Sequence, residues 1–183
     1  MPTIHVDKQV FAELRRRASG QSSNNVIRQL LGFPIKEPQS EEAEPAAYLI
    51  PHSPKEKELN SPDKLAVWLL EDLPEQGGVY HVASAHYWRN VVPGSVCLFH
   101  KDKQIVGEAK LVEGYKPYHG KEISPVTGKP YTGTVRFDPA SVRVYKRPLS
   151  FSEAEGLLGK TLTWRAIQRL TWRDYAKIKG ALA

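Results

Sequence analysis

The segment HYWRN at residues 86–90 carries the side chains of this sequence that are best suited to binding a ligand. Its aromatic rings offer faces for stacking, and its imidazole, guanidinium and amide groups offer hydrogen bonds. Two short apolar runs of strand-like composition, residues 79–85 and 95–100, lie on either side of it. A third run, residues 104–112, follows a polar Lys-Asp-Lys turn and predicts a hairpin. We therefore expect the aromatic segment to lie at the mouth of a sheet.

The sequence contains few residues at the spacings that are typical of catalytic motifs. Glu108 and Lys110 have the E-x-K spacing of half a metal-dependent nuclease site, but Asp102, six residues before Glu108, falls in the predicted turn and not on a neighbouring strand. The histidines show neither the HExxH spacing nor the His and Cys-x-x-Cys pattern of zinc enzymes, and no phosphate-binding glycine motif is present. We predict a protein that is not an enzyme, with no catalytic residue, no metal and no cofactor.

Composition narrows the class of protein. The chain has 183 residues, room for one large domain or two small ones, and a net charge of +6 that favours a polyanionic partner. Its single cysteine, Cys97, excludes an internal disulfide framework and is typical of a small buried apolar residue. No apolar stretch approaches the roughly 20 residues that a membrane span needs, and the N-terminus lacks the apolar core of a signal peptide. These features predict a cytoplasmic protein with no membrane partner.

Charge is distributed unevenly along the chain. Residues 1–33 contain five basic and two acidic side chains, and residues 34–78 contain four basic and ten acidic ones. Residues 79–183 contain seventeen basic and eight acidic ones. The acidic middle includes KEPQSEEAEP at residues 36–45, which is typical of a flexible tether. Two basic blocks therefore flank an acidic linker, in which Tyr48-Leu49-Ile50 is either a short strand or a segment that docks on the second block.

The first basic block predicts a strand and two short helices. Thr3, His5 and Asp7 alternate with two apolar residues, as in a half-buried strand. Amphipathic stretches follow at residues 8–18 and 22–31, with Ser-Gly between them. Elements this short cannot bury a core alone, so a dimer with a shared core is the economical arrangement.

Two patterns stand out in this block: TIHVD at residues 3–7 and SSNNVIRQLL at residues 22–31. They resemble the ribbon-helix-helix family. The resemblance is closer to the N-terminal segment of SeqA replication-sequestration proteins. The resemblance implies a homodimer formed through residues 1–34. In many members the ribbon also reads DNA with outward-facing residues, which here are Thr3 and His5. Because this face has no Arg, Lys, Asn or Gln, dimerisation without sequence reading is favoured over base reading.

The second block continues with further elements of both kinds. Residues 61–73 predict a helix that begins with a Ser-Pro-Asp cap. Residues 113–133 are rich in Gly, Pro, Tyr and Lys and predict a long loop, which in a compact domain is commonly functional. Residues 134–137 and 142–145 predict strands, and a short helix follows that begins at Ser150 or Ser152 and ends at Leu158.

A final helix is predicted from Trp164, with Thr163 as its cap, to about Lys179. Its basic side chains recur at every fourth position and so predict a ridge along one side. Like charges at this spacing repel each other, and a bound polyanion would relieve that repulsion. The ridge consists of Arg165, Arg169, Arg173 and Lys177.

The second block contains four motifs: YHVAS at residues 80–84, Trp88, VPGSVCLFH at residues 92–100 and IVGEAKLV at residues 105–112. Together they resemble the PUA-like superfamily. The EVE, ASCH and YTH branches are the most similar, and SRA domains are more distant. Ser95 stands where many members have Asp. The resemblance implies a small mixed β-barrel with flanking helices that binds nucleic acid or a modified base.

Such a domain holds a flipped or single-stranded base at the barrel mouth by stacking and by hydrogen bonds to the base edge, and stacking contributes roughly 1–3 kcal/mol per base. The resemblance places the pocket at Ser84, His86 and Trp88. Residues of the long loop, Tyr115, Tyr118 and His119, would form the opposite wall. The side chains expected to contact the nucleic-acid backbone are Lys116, Lys121, Lys129, Arg136, Arg165, Arg169 and Arg173.

The sequence thus predicts an α+β protein with a dimerisation segment at residues 1–34, a linker at residues 35–60 and a PUA-like domain at residues 61–183. We expect a non-enzymatic, dimeric, nucleoid-associated protein that binds nucleic acid, DNA rather than RNA, and reads a modified or flipped base. Two alternatives remain open. One is a ribbon-helix-helix repressor with a ligand-sensing C-terminal domain, and the other is an RNA-binding PUA-like protein.

Overall fold

The computed structural model describes residues 44–52, 59–124 and 127–182. All of these residues belong to one compact unit, which begins at residue 43. The predicted ribbon-helix-helix segment, with Thr3, His5 and the homodimer that it would form, lies outside the described residues.

Seven strands form one mixed sheet in the described part of the chain: β1 (Ala47–Pro51), β2 (Val79–Val82), β3 (Val96–Lys101), β4 (Gln104–Pro117), β5 (Gly133–Phe137), β6 (Arg143–Ser150) and β7 (Gln168–Leu170). The strand order is β2-β5-β4-β3-β1-β7, and β6 pairs with β4 beside this path. The long strand β4 pairs with β3, β5 and β6 because its register shifts let it bend from one neighbour to the next.

The sheet is not closed into a barrel, which corrects the predicted architecture. At one end β2 pairs with β5, at the other end β7 pairs with β1, and no described strand joins these two ends. A barrel needs a continuous ladder around its circumference, and the three-residue strand β7 is too short to extend the sheet toward β2. The α+β class itself is confirmed.

β1 lies inside the sheet, within the range 35–60 that is predicted as a linker. It runs parallel to β3 and antiparallel to β7, with Leu49 opposite Leu98 and Gln168. Leu49 and Ile50 are almost completely buried, because the sheet is covered on both faces at this strand. The strand alternative for Tyr48-Leu49-Ile50 is therefore confirmed, and these residues belong to the sheet and not to a tether.

Five α-helices accompany the sheet in the described residues: α1 (Pro62–Leu70), α2 (Asp72–Glu75), α3 (Ala85–Trp88), α4 (Phe151–Leu158) and α5 (Trp172–Leu182). The predicted cap of α1 is present, since the Ser61 hydroxyl accepts a hydrogen bond from the Lys64 backbone N–H at 3.2 Å. α4 begins with a capping box formed by Ser150 and Glu153. None of the described helices has the length and apolar character that crossing a bilayer requires.

The stretch from Thr163 to Lys179 is not one helix, in contrast to the prediction. It contains an irregular segment at residues 163–167, then β7, and then the start of α5. Pairing with β1 satisfies the backbone groups of β7, and this tertiary interaction outweighs the helical period of the sequence. The predicted basic ridge does not form, because Arg165, Arg169 and Arg173 lie on these three different elements.

The sheet separates two apolar clusters. On β3, Cys97 and Phe99 belong to the first cluster and Leu98 to the second, as the alternation of side chains along a strand requires. α1 covers the first cluster with Leu65 and Leu69, and α4 and α5 cover the second. Cys97 is fully buried, as predicted, and burial raises the pKa of its thiol.

Candidate functional site

A cavity of about 330 Å³ lies at the C-terminal ends of β1 and β2 and beside α3. We call it the base cavity. Its walls come from the end of β1 with His52, from β2 and the residues after it as far as Ser84, and from α3. Ser124, Tyr131 and the irregular residues 164–167 complete the lining. The volume is near the lower end of the range of about 300–1,000 Å³ for ligand sites, so it suits one small group.

The inner wall of the base cavity consists of aromatic rings that pack against the core. The ring of Tyr80 on β2 lies 5.4 Å from the Trp88 ring and 6.0 Å from the Phe137 ring. The His52 ring lies 5.7 Å from the ring of Trp68 on α1. Trp88 is only 5% exposed. Because each ring is held by several others, this wall is formed before any ligand arrives.

A second aromatic group joins β2 to the loop after β4. His81 Nδ1 lies 3.1 Å from a carboxylate oxygen of Glu122. The His81 ring also lies 5.0 Å from the Tyr118 ring and 5.1 Å from the Tyr131 ring. Desolvation, and after it the hydrogen bond to Glu122, raises the pKa of Tyr118 above its ordinary value. The Tyr118 hydroxyl therefore stays neutral, and the group fixes one side of the cavity.

The outer wall is an exposed Trp-Arg pair. Trp164 is 41% exposed, and the Arg165 guanidinium lies 4.4 Å from the centre of its ring. Lys103 Nζ lies 5.9 Å from the same ring. Contacts of this kind contribute about 0.5–1 kcal/mol at exposed sites. An exposed indole with two cations over its ring is suited to bind a planar group that belongs to an anionic chain.

The structure places two of the three pocket residues predicted after β2 in the lining. Ser84 and Trp88 both line the base cavity. The Trp88 ring lines the cavity and also packs within the first apolar cluster. His86 is exposed on α3, lies outside the lining and packs against Tyr87, whose ring centre is 5.3 Å away.

The three pocket residues predicted in the long loop are dispersed. Tyr118 contacts the lining residue His81 but is not itself in the lining. The Tyr115 hydroxyl donates a hydrogen bond to the Thr132 carbonyl oxygen at 2.6 Å, which ties β4 to the segment before β5. His119 is exposed and lies outside the lining. The predicted opposite wall is thus provided mainly by other residues.

Sequence reasoning missed several ring-bearing residues of the lining, among them His52, Tyr80, Tyr131 and Trp164. His52 follows β1 and so falls in the predicted linker, and Trp164 falls at the predicted start of a helix. Tyr80 and His81 could have been found together, because they are adjacent ring-bearing residues in the strand that precedes the predicted site. The adjacent Trp164 and Arg165 also carry a signal, since an aromatic and a cationic side chain often act together on a planar ligand.

Two of the side chains predicted to contact the nucleic-acid backbone form ion pairs within the domain. Lys116 and Arg136 both form ion pairs with Glu113. The hydrogen bond from Lys116, and also the charge of Arg136, holds the pKa of Glu113 below its ordinary value. This acid therefore neutralises part of the charge that the two cations could offer to a phosphate. The other predicted contacts are exposed, and they are Lys121, Lys129, Arg165, Arg169 and Arg173.

The acid of the E-x-K pattern belongs to a buried network. Glu108 is 7% exposed, and its carboxylate accepts hydrogen bonds from Tyr145 at 2.7 Å, Tyr175 at 2.9 Å and Lys179 at 2.7 Å. Burial, and after it the bond to Glu108, raises the pKa of Tyr145. The carboxylate thereby ties α5 to β4 and β6. Within residues 44–52, 59–124 and 127–182, no three metal-ligating side chains are grouped as a metal site needs.

No protein-family model and no curated protein matches this sequence. Several solved structures are similar in chain path. One is a hypothetical protein from Leishmania major, with a TM-score of 0.48 and 18% identity, and the match covers 75% of this chain and 94% of that chain. A protein from Agrobacterium tumefaciens has the same TM-score at 16% identity, with the same coverage of both chains.

The Mmi1 YTH domain, solved in complex with RNA, also has a TM-score of 0.48, at 9% identity. That match covers 81% of this chain and 84% of the YTH domain. All three TM-scores are 0.48, so the similarity is one of general chain path.

Proposed function

We propose that this domain binds nucleic acid without catalysing a reaction, and that one base of the bound strand occupies the base cavity. The observation that carries the proposal is the pairing of a buried aromatic wall, formed by Tyr80 and Trp88, with the exposed indole of Trp164. A planar ring that enters between these walls has aromatic surface on both sides.

The polar groups of the cavity suit the edge of a base. His81 and Ser84 lie in the lining beside the aromatic rings, and Tyr87 lies at the side with 49% of its surface exposed. These side chains offer hydrogen-bond donors and acceptors, which base recognition requires in addition to stacking. A volume of about 330 Å³ accommodates one base rather than several, so the neighbouring bases must lie outside this cavity.

The charges around the cavity favour a polyanionic ligand over a free neutral one. Arg165 and Lys103 both contact the indole that forms the outer wall. Residues 79–183, which contain most of the described chain, have seventeen basic and eight acidic side chains. Cations at the rim of an aromatic pocket attract a phosphate backbone and make its binding dependent on salt. The preference for DNA, the modified or flipped base and the homodimer rest on the sequence resemblances and remain part of the proposal.

The test compares two tryptophans of similar exposure in the full-length chain. Trp164→Ala removes the outer wall, whereas Trp172→Ala removes an indole on α5 that is 47% exposed and lies outside the cavity lining. Fluorescence anisotropy would measure binding to unmodified, methylated and hydroxymethylated DNA duplexes, to single-stranded DNA and to single-stranded RNA, at two salt concentrations. We expect Trp164→Ala to weaken binding about tenfold, from stacking worth roughly 1–3 kcal/mol, and Trp172→Ala to leave it unchanged.

The outcomes separate the alternatives. If the wild type and both variants bind every nucleic acid with the same weak affinity and a steep dependence on salt, the domain contributes only electrostatic attraction. Tight binding of free nucleosides, with no gain from a phosphate backbone, would favour the ligand-sensing repressor. Trp88→Ala is unsuitable for this test, because truncating a core tryptophan costs about 3–5 kcal/mol of stability.

A further inference from the structure

A second, smaller cavity of about 220 Å³ adjoins the base cavity. We call it the hairpin cavity, because Asp102 and Lys103 of the β3–β4 turn line it together with His100. His52 and Trp164 complete its lining, and both of these residues also line the base cavity. The indole of Trp164 therefore borders two cavities.

His100 gives the hairpin cavity a buried polar group. The residue is 2% exposed, and its Nε2 has no hydrogen-bond partner within the described ranges of the chain. Its ring packs against Phe151, with 4.7 Å between ring centres. Burial, and after it the nearby His52, lowers the pKa of His100 to about 3, so the imidazole is neutral at neutral pH. A buried polar atom without a partner reduces stability, and a ligand that bonds to it would remove this cost.

The charges of the hairpin cavity favour a neutral polar ring inside it. Asp102 and Lys103 have φ angles of 48° and 60°, which place them in the left-handed region and fix the turn. The Asp102 carboxylate would repel a phosphate in the interior. Lys103 contacts the outer indole and suits a phosphate at the rim. A neutral imidazole nitrogen gives one hydrogen bond to a neutral edge group.

We infer that the hairpin cavity is a subsite for the nucleotide next to the one in the base cavity, with its base against Trp164 and its edge hydrogen-bonded to His100 Nε2. This inference rests on the proposed function, since the two nucleotides belong to one strand. Arg165 and Lys103, whose cations lie 4.4 and 5.9 Å from the centre of the Trp164 ring, would contact the phosphates of these two nucleotides. The ligand is thus two consecutive nucleotides, and the second contributes to specificity.

The experiment removes the neighbouring base without removing the backbone. The probes are fluorescein-labelled homo-octamers of deoxyadenosine, deoxycytidine, deoxyguanosine and thymidine. The octamer that binds best is then compared with a version in which every second nucleotide is abasic. In the alternating octamer one base can still fill the base cavity, but no base lies beside it. After correction for the number of bases, we expect the full-length wild type to bind the alternating octamer about tenfold more weakly.

Variants of His100 assign this difference to the hairpin cavity. His100→Leu removes Nε2 at similar volume, and it is expected to keep or raise the midpoint of thermal unfolding. It should bind the alternating octamer as the wild type does and lose the part of the full octamer's advantage that the hydrogen bond supplies, because the neighbouring base can still stack on Trp164. His100→Val, a smaller β-forming substitution, is the second variant if leucine does not fold, with the same expectation. Lys103→Gln should reduce the salt dependence of binding to both octamers, whereas Lys146→Gln, at an exposed position on β6, should not.

Each alternative result has a distinct meaning. If the wild type binds both octamers equally, the subsite is refuted and the proposed function stands. If the His100 variants weaken binding to both octamers by the same factor, His100 supports the base cavity from behind and the subsite is again refuted. If the wild type binds no octamer and no member of the larger nucleic-acid panel, the proposed function fails and the inference fails with it.

Discussion

The buried imidazole of His100 should make the stability of the domain depend on pH between about 6.5 and 3. Its pKa falls from 6.5 to about 3 in the folded domain, through burial and then through His52. In the unfolded chain it titrates near 6.5. As the pH falls through this range, the unfolded chain takes up a proton that the folded domain does not, so the free energy of unfolding decreases.

The size of this effect follows from the shift. One proton gives a slope of at most about 1.4 kcal/mol per pH unit. The whole shift corresponds to roughly 4–5 kcal/mol, which is comparable with the lower end of the 5–15 kcal/mol that stabilises a typical domain. The stabilisation is complete above about pH 6.5 and is lost progressively as the pH approaches about 3.

Urea unfolding of the wild type and of His100→Leu, at several pH values between about 7.5 and 4.5, measures this contribution. Other titrating groups are present in both proteins, so the difference between their slopes isolates His100 and its coupling to His52. We expect the wild type to lose stability more steeply by up to about 1 kcal/mol per pH unit. Parallel curves for the two proteins would show that burial does not keep the imidazole neutral, and the reasoning would then be wrong.

Two further predictions concern the framework of the domain. A Cβ at Gly107 of β4 would lie 2.5 Å from the Arg143 carbonyl oxygen, so Gly107→Ala should lower the free energy of unfolding in urea by about 1–3 kcal/mol. Gly156→Ala, inside α4 with open space around the new methyl group, should instead raise it by about 0.5–1 kcal/mol, and equal effects of the two would contradict this account. Asp174→Asn should cost about 1 kcal/mol at neutral pH in thermal unfolding, because its carboxylate accepts hydrogen bonds from the Thr171 backbone N–H and hydroxyl, while the Thr171 hydroxyl accepts one from the Asp174 N–H at the start of α5. The bond from Lys160, the first of several, lowers the pKa of Asp174 to about 2, so its contribution is present above about pH 4 and the difference from the variant should vanish as the pH falls to about 2.

The sequence predicts the elements whose causes are local. Ser61 and Ser150 mark helix starts because a cap depends on a few adjacent residues, and both caps are present. The turn between β3 and β4 was predicted at residues 101–103, and Asp102 and Lys103 adopt the left-handed conformation that a tight hairpin needs. The apolar runs that became β2, β3 and β4 were found for the same reason, since their length and composition already favour strands.

The elements decided by distant partners could not be predicted. β7 is a strand because β1 lies beside it, although the surrounding residues have the period of a helix. β1 is buried because β3 and β7 flank it, although its neighbours along the chain have the composition of a linker. The base cavity could not be predicted for the same reason. His52 and Trp164 are more than a hundred residues apart in the sequence, and the pairing of β1 with β7 brings them together.

The position of β1 between β3 and β7 also governs how the domain can form during synthesis. β1 leaves the ribosome before every other strand of the sheet, but the strand that covers its second edge comes from residues 168–170. Until those residues emerge, a strand with buried Leu49 and Ile50 presents an open edge to other chains. The sheet is therefore completed late, and a nascent or truncated chain that ends before β7 would be prone to aggregate and would depend on chaperones.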